Sequence, residues 1–390
     1  MNAVVEFCRA KSFEGVFLGM RKLLVVAILM LALLSFAALG FKIGLVTGTV
    51  SQGEDEYRGA ENVVRRYGNE IIHVTYPDKF MQEQETTIAR IVELAYDPKV
   101  KAIVICQGVP GTVAAIRRVK EFRPDMIFVV GVPHEDPEIV GSVADVALET
   151  DTPGRGITIV DLAYKMGAKR FIHYSFPRHM SYKLLAERRN IMEQRCKELG
   201  IEFIFVSAPD PLGEQGLTGA QQFILEDVPR QIAKYGKDTA FFSTNCGMQE
   251  PLIKAILQHG GIYPEQCCPS PTHGYPGALG IEIPADKKGD YNYILKAINE
   301  KVVEKGGARR FATWPVPVNM VFTEAGVELA IELVQKKIKA GDTNAVKAVL
   351  DRVISQKISG YGIRTIKKYA GAGNYYMITM DSVIFGVTQF

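Results

Sequence analysis

The residues able to do chemistry in this sequence are scattered. The six histidines stand singly, with no pair at i, i+4 to hold a metal from one helix face. Gly44 and Gly48 have the wrong spacing for a dinucleotide loop, and Gly154-Arg155-Gly156 meets Ile159 where a third glycine is needed. A Walker loop, a G-x-S-x-G elbow and an H-E-x-x-H pair are all missing. What remains is a set of polar residues just past short apolar runs: Ser51, Gln52, Gln107, His134, Phe176, Arg178, His179, Asn245 and Cys246. Donors, acceptors, a cation and one ring suit a small polar ligand held without covalent chemistry. The expectation is therefore a binding protein, with no catalytic residue, metal or cofactor. Arg178-His179 either grips a carboxylate through charge-assisted hydrogen bonds or pairs locally with Glu187. Phe176 stacks on a ligand ring or packs its own loop, and Arg188-Arg189 lies on a solvated helix face or turns one guanidinium inward.

Loops of this kind need a scaffold that brings them together. Runs rich in β-branched residues alternate with amphipathic stretches of helical period, the pattern of βαβ units and parallel sheets. Strands are predicted from Phe41–Val46 through Thr239–Ser243, then at Leu279–Ile283, Arg310–Thr313, Tyr375–Met380 and Ser382–Val387. Ser51 and Glu54 have the spacing of a capping box. The fold class is α/β: two Rossmann-like lobes with parallel sheets joined by a three-crossing hinge. The division places 41–151 plus about 277–316 in lobe 1, and 152–276 plus about 317–390 in lobe 2. Crossings are expected near Thr150–Pro153, Pro269–Pro276 and Trp314–Asn319. In open α/β sheets ligands sit at the carboxyl ends of strands, where the nine residues above fall.

Residues 1–40 read as a signal peptide. Leu23 to Leu39 is apolar except for Ser35, follows Arg21-Lys22 and ends in small residues, and Met20 reads as the true start. An uncleaved N-terminal anchor is the alternative, so the protein is exported to the periplasm or cell surface. Lys+Arg 46 against Asp+Glu 43 excludes a strongly basic nucleic-acid binder. Cys106, Cys196, Cys246, Cys267 and Cys268 are odd in number and widely spread, so no disulfide framework is implied.

The stretches FKIGLVTGTVSQGEDEYRGAENVVRRYG and VKAIVICQGVPGTVAAIRRVKEFRPDMIFVVGVP resemble the type I periplasmic-binding superfamily of sugar-binding proteins and LacI-type effectors. TNCGMQEPLIKAILQHGG is similar to that superfamily's N-D-x-M-A-x-G-x-x-x-A-L element, with Asn245 at its Asn. Cys246 replaces the Asp that grips sugar there, and Met192 replaces the Gly of an R-x-x-G element begun by Arg189. RHMSYKLLAERRNIMEQRCKELGIEF and STNCGMQEPLIKAILQHGGIYPEQCCPSPTHGYPGALGIEIP resemble a narrower bacterial family of exported proteins, a domain of unknown function. The resemblance implies a solute-binding protein of the ABC-transporter kind that clamps a small polar solute for a transporter permease or a sensor. The alternatives are a LacI-like ligand-sensing module without a DNA-binding domain, or an enzyme using Cys246 or His179.

Overall fold

The computed structural model describes residues 39–389; the signal segment and Cys8 lie outside the described residues, save Leu39 and Gly40. In chain order the elements of the first half are β1 (Lys42–Thr47), α1 (Val50–Tyr67), β2 (Ile71–Thr75), α2 (Gln84–Leu94), β3 (Val100–Gly108), α3 (Thr112–Phe122), β4 (Ile127–Pro133), α4 (Pro137–Val143) and β5 (Val146–Thr150). The second series is α5 (Thr152–Lys165), β6 (Arg170–Ser175), α6 (Pro177–Met180), α7 (Lys183–Leu199), β7 (Glu202–Ser207), α8 (Gly216–Tyr235), β8 (Thr239–Ser243), α9 (Gln249–His259), α10 (Tyr275–Leu279), α11 (Tyr291–Glu304) and β9 (Ala312–Thr313). The chain closes with α12 (Val318–Val334), α13 (Thr343–Ser355), β10 (Thr365–Tyr369), β11 (Ala372–Thr379) and β12 (Val383–Ile384). Among the described residues, no helix is long and apolar enough to cross a membrane.

Two sheets organise the two lobes. The first runs β10-β11-β5-β4-β3-β1-β2, parallel except for β10. Its central strands are near-continuous apolar runs because helices cover both faces. The second runs β7-β6-β8, all parallel, and is continued by the bridges Ala240–Ile262 and Tyr263–Phe311 and by the β9–β12 pair. Each order reverses direction once, between β1 and β3 in one lobe and between β6 and β8 in the other. Those are the switch points where adjoining helices leave on opposite faces and open a crevice.

The closing segments pack opposite to the expected division. β11 pairs in parallel with β5, and α12, buried nearly all round, lies on β3, β4 and α1, so 318–379 completes lobe 1. The stretch 277–313 belongs with lobe 2, where α10 packs on α9 and Tyr275 donates to the Ala312 carbonyl (2.9 Å). The crossings are thus Thr150–Thr152, Trp314–Pro317 and Met380–Ser382, and Pro269–Pro276 stays within lobe 2. Its prolines and glycines shape a loop of that lobe; a hinge leaves no compositional mark of its own. The strand expected at Leu279–Ile283 is absent, because Gly280 ends α10 in the left-handed region (φ 67°).

One buried arginine gathers all three crossings. Arg155, on α5 just past the first, donates from Nε to Glu265 (2.8 Å), from Nη1 to the Thr150 hydroxyl (3.2 Å) and the Cys267 carbonyl (2.8 Å), and from Nη2 to the Gln266 carbonyl (2.6 Å). Its guanidinium lies 5.6 Å from the ring of Trp314 in the second crossing. Glu265 also accepts from Ser382 of the third (3.3 Å). The residue is 1% exposed with its donors paired, as a buried charge requires.

Candidate ligand-binding cleft

A cleft of about 1240 Å³ opens between the carboxyl ends of the two sheets. Of the nine residues expected from sequence, Ser51, Gln52, Gln107, His134, Arg178, His179, Asn245 and Cys246 line it. Phe176 does not. It is 1% exposed and packs beneath the wall, 4.2 Å from the His179 ring and 5.1 Å from the Arg178 guanidinium.

Ser51 and Gln52 are rim residues. Ser51 donates to Asp78 (3.0 Å), Gln52 to the Asp78 carbonyl (2.9 Å) and Thr49 to Asp78 (2.5 Å). The capping box does not form, because α1 begins earlier, with Thr49 at its N-cap and these hydroxyls drawn to Asp78. A kink at Gly53 follows, and it matters: a Cβ there would stand 1.6 Å from Glu56 Oε1, so only glycine lets Glu56 fold back into the cleft.

The lobe 1 wall is a chain of side chains starting at Glu56. Its carboxyl accepts from Asn319 (3.3 Å) and Gln107 (3.1 Å), and the Gln107 oxygen faces His134 Nε2 at 2.8 Å. Burial raises the Glu56 pKa to about 7 and lowers that of His134 to about 4, so the imidazole is neutral. Its Nε2 then donates to Gln107, and Nδ1, without a hydrogen-bond partner among the described residues, is left as an acceptor. Val132, beside His134, sits at φ 47°, a strained position for a β-branched residue.

The lobe 2 wall spans its switch point. Ser175 and Thr244, from the ends of β6 and β8, meet at 2.8 Å, and His179 Nδ1 reaches Thr244 at 3.1 Å. Burial, then the nearby Arg178 charge, lowers the His179 pKa to about 3. Arg178 does not pair with Glu187. It grips Asp210 with two bonds of 2.8 Å, which commits its charge. Asn245 caps the turn before α9 by accepting from Gly247 N (2.8 Å).

At the floor, the expected Cys246 stands with residues the sequence did not single out as site residues. Cys246 and Cys267 thiols lie 3.3 Å apart with Cys268 beside both, and all are free. Burial, then the hydrogen bond with Cys246, pushes the Cys267 thiol well above its ordinary range. Cys246, Cys267 and His273 bring ligand atoms within 4.8 Å of one another, a donor set suited to a soft metal ion. Both His273 nitrogens face carbonyls at 3.1 Å, of Cys268 and Cys246, so the ring is engaged elsewhere. Glu149, the last but one residue of β5, accepts from Thr150 (2.7 and 3.0 Å), and burial raises its pKa to about 7. Arg188 of α7 is 1% exposed, with its guanidinium 4.8 Å from the Phe242 ring. The neighbouring Arg189 turns outward over Phe203 and Phe205 and pairs with Glu193 (2.8 Å).

A signal for these residues is present in the spacing. Leu184, Arg188, Met192 and Cys196 recur every fourth position and form the buried stripe of α7. Glu56 keeps the same register with Ala60 and Val63 on α1. A charge in step with an apolar stripe is drawn inward, where it needs a purpose.

The family described as "Protein of unknown function (DUF3798)" matches residues 41–312. The chain belongs to that family. A protein of Treponema pallidum (strain Nichols) named only as uncharacterized is 38% identical over 180 residues, which cover 44% of this chain and 81% of that one. A solved structure from Clostridium difficile 630, named as a candidate transcriptional regulator, is 28% identical, covers 88% of this chain and 99% of that one, and superposes with a TM-score of 0.73. A periplasmic solute-binding protein of an ABC transporter from Actinobacillus succinogenes 130z, with D-allose bound, superposes at 0.52 with 14% identity, over 76% of this chain and 92% of that one. At that identity the likeness shows the fold, the two-lobed type I periplasmic-binding architecture. This DUF3798 chain thus shares a scaffold with solute-binding proteins.

Proposed function

We propose that this DUF3798 protein is an exported solute-binding protein that closes its two lobes on a small polar ligand and presents it to a membrane transporter or sensor. The observation that carries this is the facing of two switch points across one cleft, with polar side chains from both. Closure needs only a ligand that contacts both walls in one state. The lobes already touch at the rim, where Lys183 meets Asp136 (3.4 Å) and Glu138 (3.2 Å) and Thr272 donates to Asp55 (2.8 Å). A ligand engaging both the Glu56–Gln107–His134 chain and the His179–Thr244 wall adds to those contacts. The bound compound leaves unchanged.

The relative from Clostridium difficile favours a second reading, a ligand-sensing module whose closure is read by a partner protein. Both readings share the clamp. Thermal unfolding of the full-length protein against sugars, nucleosides, amino acids and carboxylates tests it. A ligand at 100 times its dissociation constant stabilises by about 2.7 kcal/mol, a readable shift. A single class of stabilising compounds, recovered intact, is expected. Consumption of the compound would contradict a binding role, and silence across all classes would contradict a solute clamp.

A further inference from the structure

We infer that the solute of this cleft carries a carboxylate or phosphate group, and that Arg188 is the residue on which it sits. This rests on the solute-clamp reading and narrows its ligand. Among the described residues, Arg188 Nε and Nη2 have no hydrogen-bond partner, and no carboxylate comes within ion-pair distance of the guanidinium. The guanidinium lies against the face of Phe242, 4.8 Å from the ring centroid. A buried charge is normally paired, because desolvation without a partner is costly. The fold does this for Arg155 with four hydrogen bonds, and for Arg178 with a two-pronged carboxylate. Glu265 is committed to Arg155 and Ser382, and Asp210 to Arg178; Glu149, whose Oε1 accepts from Thr150, is near enough to favour the Arg188 charge but forms no ion pair with it.

Arg188 is also held in place. Gly156 on α5 allows the closest approach to α7, since a Cβ there would lie 2.9 Å from the Arg188 carbonyl and 2.8 Å from Ile191. Close to the guanidinium stand the thiols of Cys267 and Cys268 and the carboxyl of Glu149, which burial raises to a pKa of about 7; the hydroxyls of Thr152 and Thr244 also line the cleft. A planar fork with unpaired N–H groups in such a cleft matches an oxyanion bound at two oxygens. Arg188 keeps its proton at neutral pH, although burial lowers its pKa to about 10.

The test compares wild type with Arg188→Met and Arg188→Lys in the full-length protein. Inorganic phosphate is the first probe, measured against chloride at equal ionic strength; succinate and glucose 6-phosphate follow, with glucose as the neutral control. Phosphate should raise the wild-type melting temperature and leave Arg188→Met unmoved, while Arg188→Met alone melts no lower than wild type. The Lys variant keeps the charge without the fork and should bind about tenfold or more weakly. Tighter binding of succinate identifies a carboxylate solute, and tighter binding of glucose 6-phosphate a phosphorylated one. The inference is overturned if phosphate acts equally on wild type and Arg188→Met, or on neither. Binding of glucose undiminished in Arg188→Met would overturn it while upholding the clamp. If phosphate separates the variants but no organic solute binds, the anion seat stands and the clamp fails.

Discussion

Arg155 and Arg188 are both 1% exposed, and they sit on neighbouring helices that pack closely at Gly156. Arg155 meets Glu265, two carbonyls and a hydroxyl, and it ties together three crossings that lie far apart in sequence. Arg188 meets the face of one ring and looks into the cleft. The same side chain, at the same depth, is completed by the protein in one place and left for something else in the other. Burial alone therefore does not tell a structural charge from a functional one; the pairing does.

Stability should separate the two most strongly. Arg155→Met leaves Glu265 buried without its cation and should cost about 3–5 kcal/mol in urea unfolding. Arg188→Met removes an unpaired cation and should be neutral or stabilising by about 1–3 kcal/mol. Equal losses would erase the distinction.

pH sharpens it next. Glu56 and Glu149 have pKa values raised from 4.5 to about 7, so their contribution is complete below pH 4.5 and is lost as pH rises through 7. Each is worth on the order of 3 kcal/mol. His134 and His179 are lowered from 6.5 to about 4 and about 3, so their contribution is complete above pH 6.5 and is lost as pH falls through those values. Among these four cleft groups the opposing slopes offset one another between pH 4.5 and 6.5, the glutamates weakening the fold at more alkaline pH and the histidines at more acid pH, where buried His173, lowered to about 3, adds to the loss. Glu149→Gln should flatten part of the alkaline fall; an unchanged profile would mean that Glu149 is not held neutral by the cleft.

Gly156→Ala forces α5 from α7 and should cost about 1–3 kcal/mol, weakening anion binding along with stability. The smallest effect belongs to the rim. Lys183→Ala should leave unfolding unchanged and affect only the tendency to close, seen as a larger radius of gyration in X-ray scattering.

Much of the scaffold was legible in the sequence. The alternation of β-branched runs and helical periods is a local signal, and it located the strand ends carrying Gln107, His134, His179 and Asn245. The turn Asp151-Thr152-Pro153 marked a crossing because an N-cap and a proline stand there together. Which sheet takes up 318–379 was not legible, since parallel pairing of β11 with β5 joins residues more than 200 positions apart. Nor was the partner of Arg178: Asp210 lies 32 residues on, whereas Glu187 was near at hand. Arg188 was legible in its spacing and obscured by its type, since charged residues on helices usually face water.

The central claim is best tested by thermal unfolding of full-length wild type and Arg188→Met against matched sets of anionic and neutral solutes. One stabilising class, anionic, is expected, and its effect vanishes in Arg188→Met while that protein stays at least as stable as wild type. Stabilisation by neutral solutes alone, or an anion effect that survives the substitution, would contradict it.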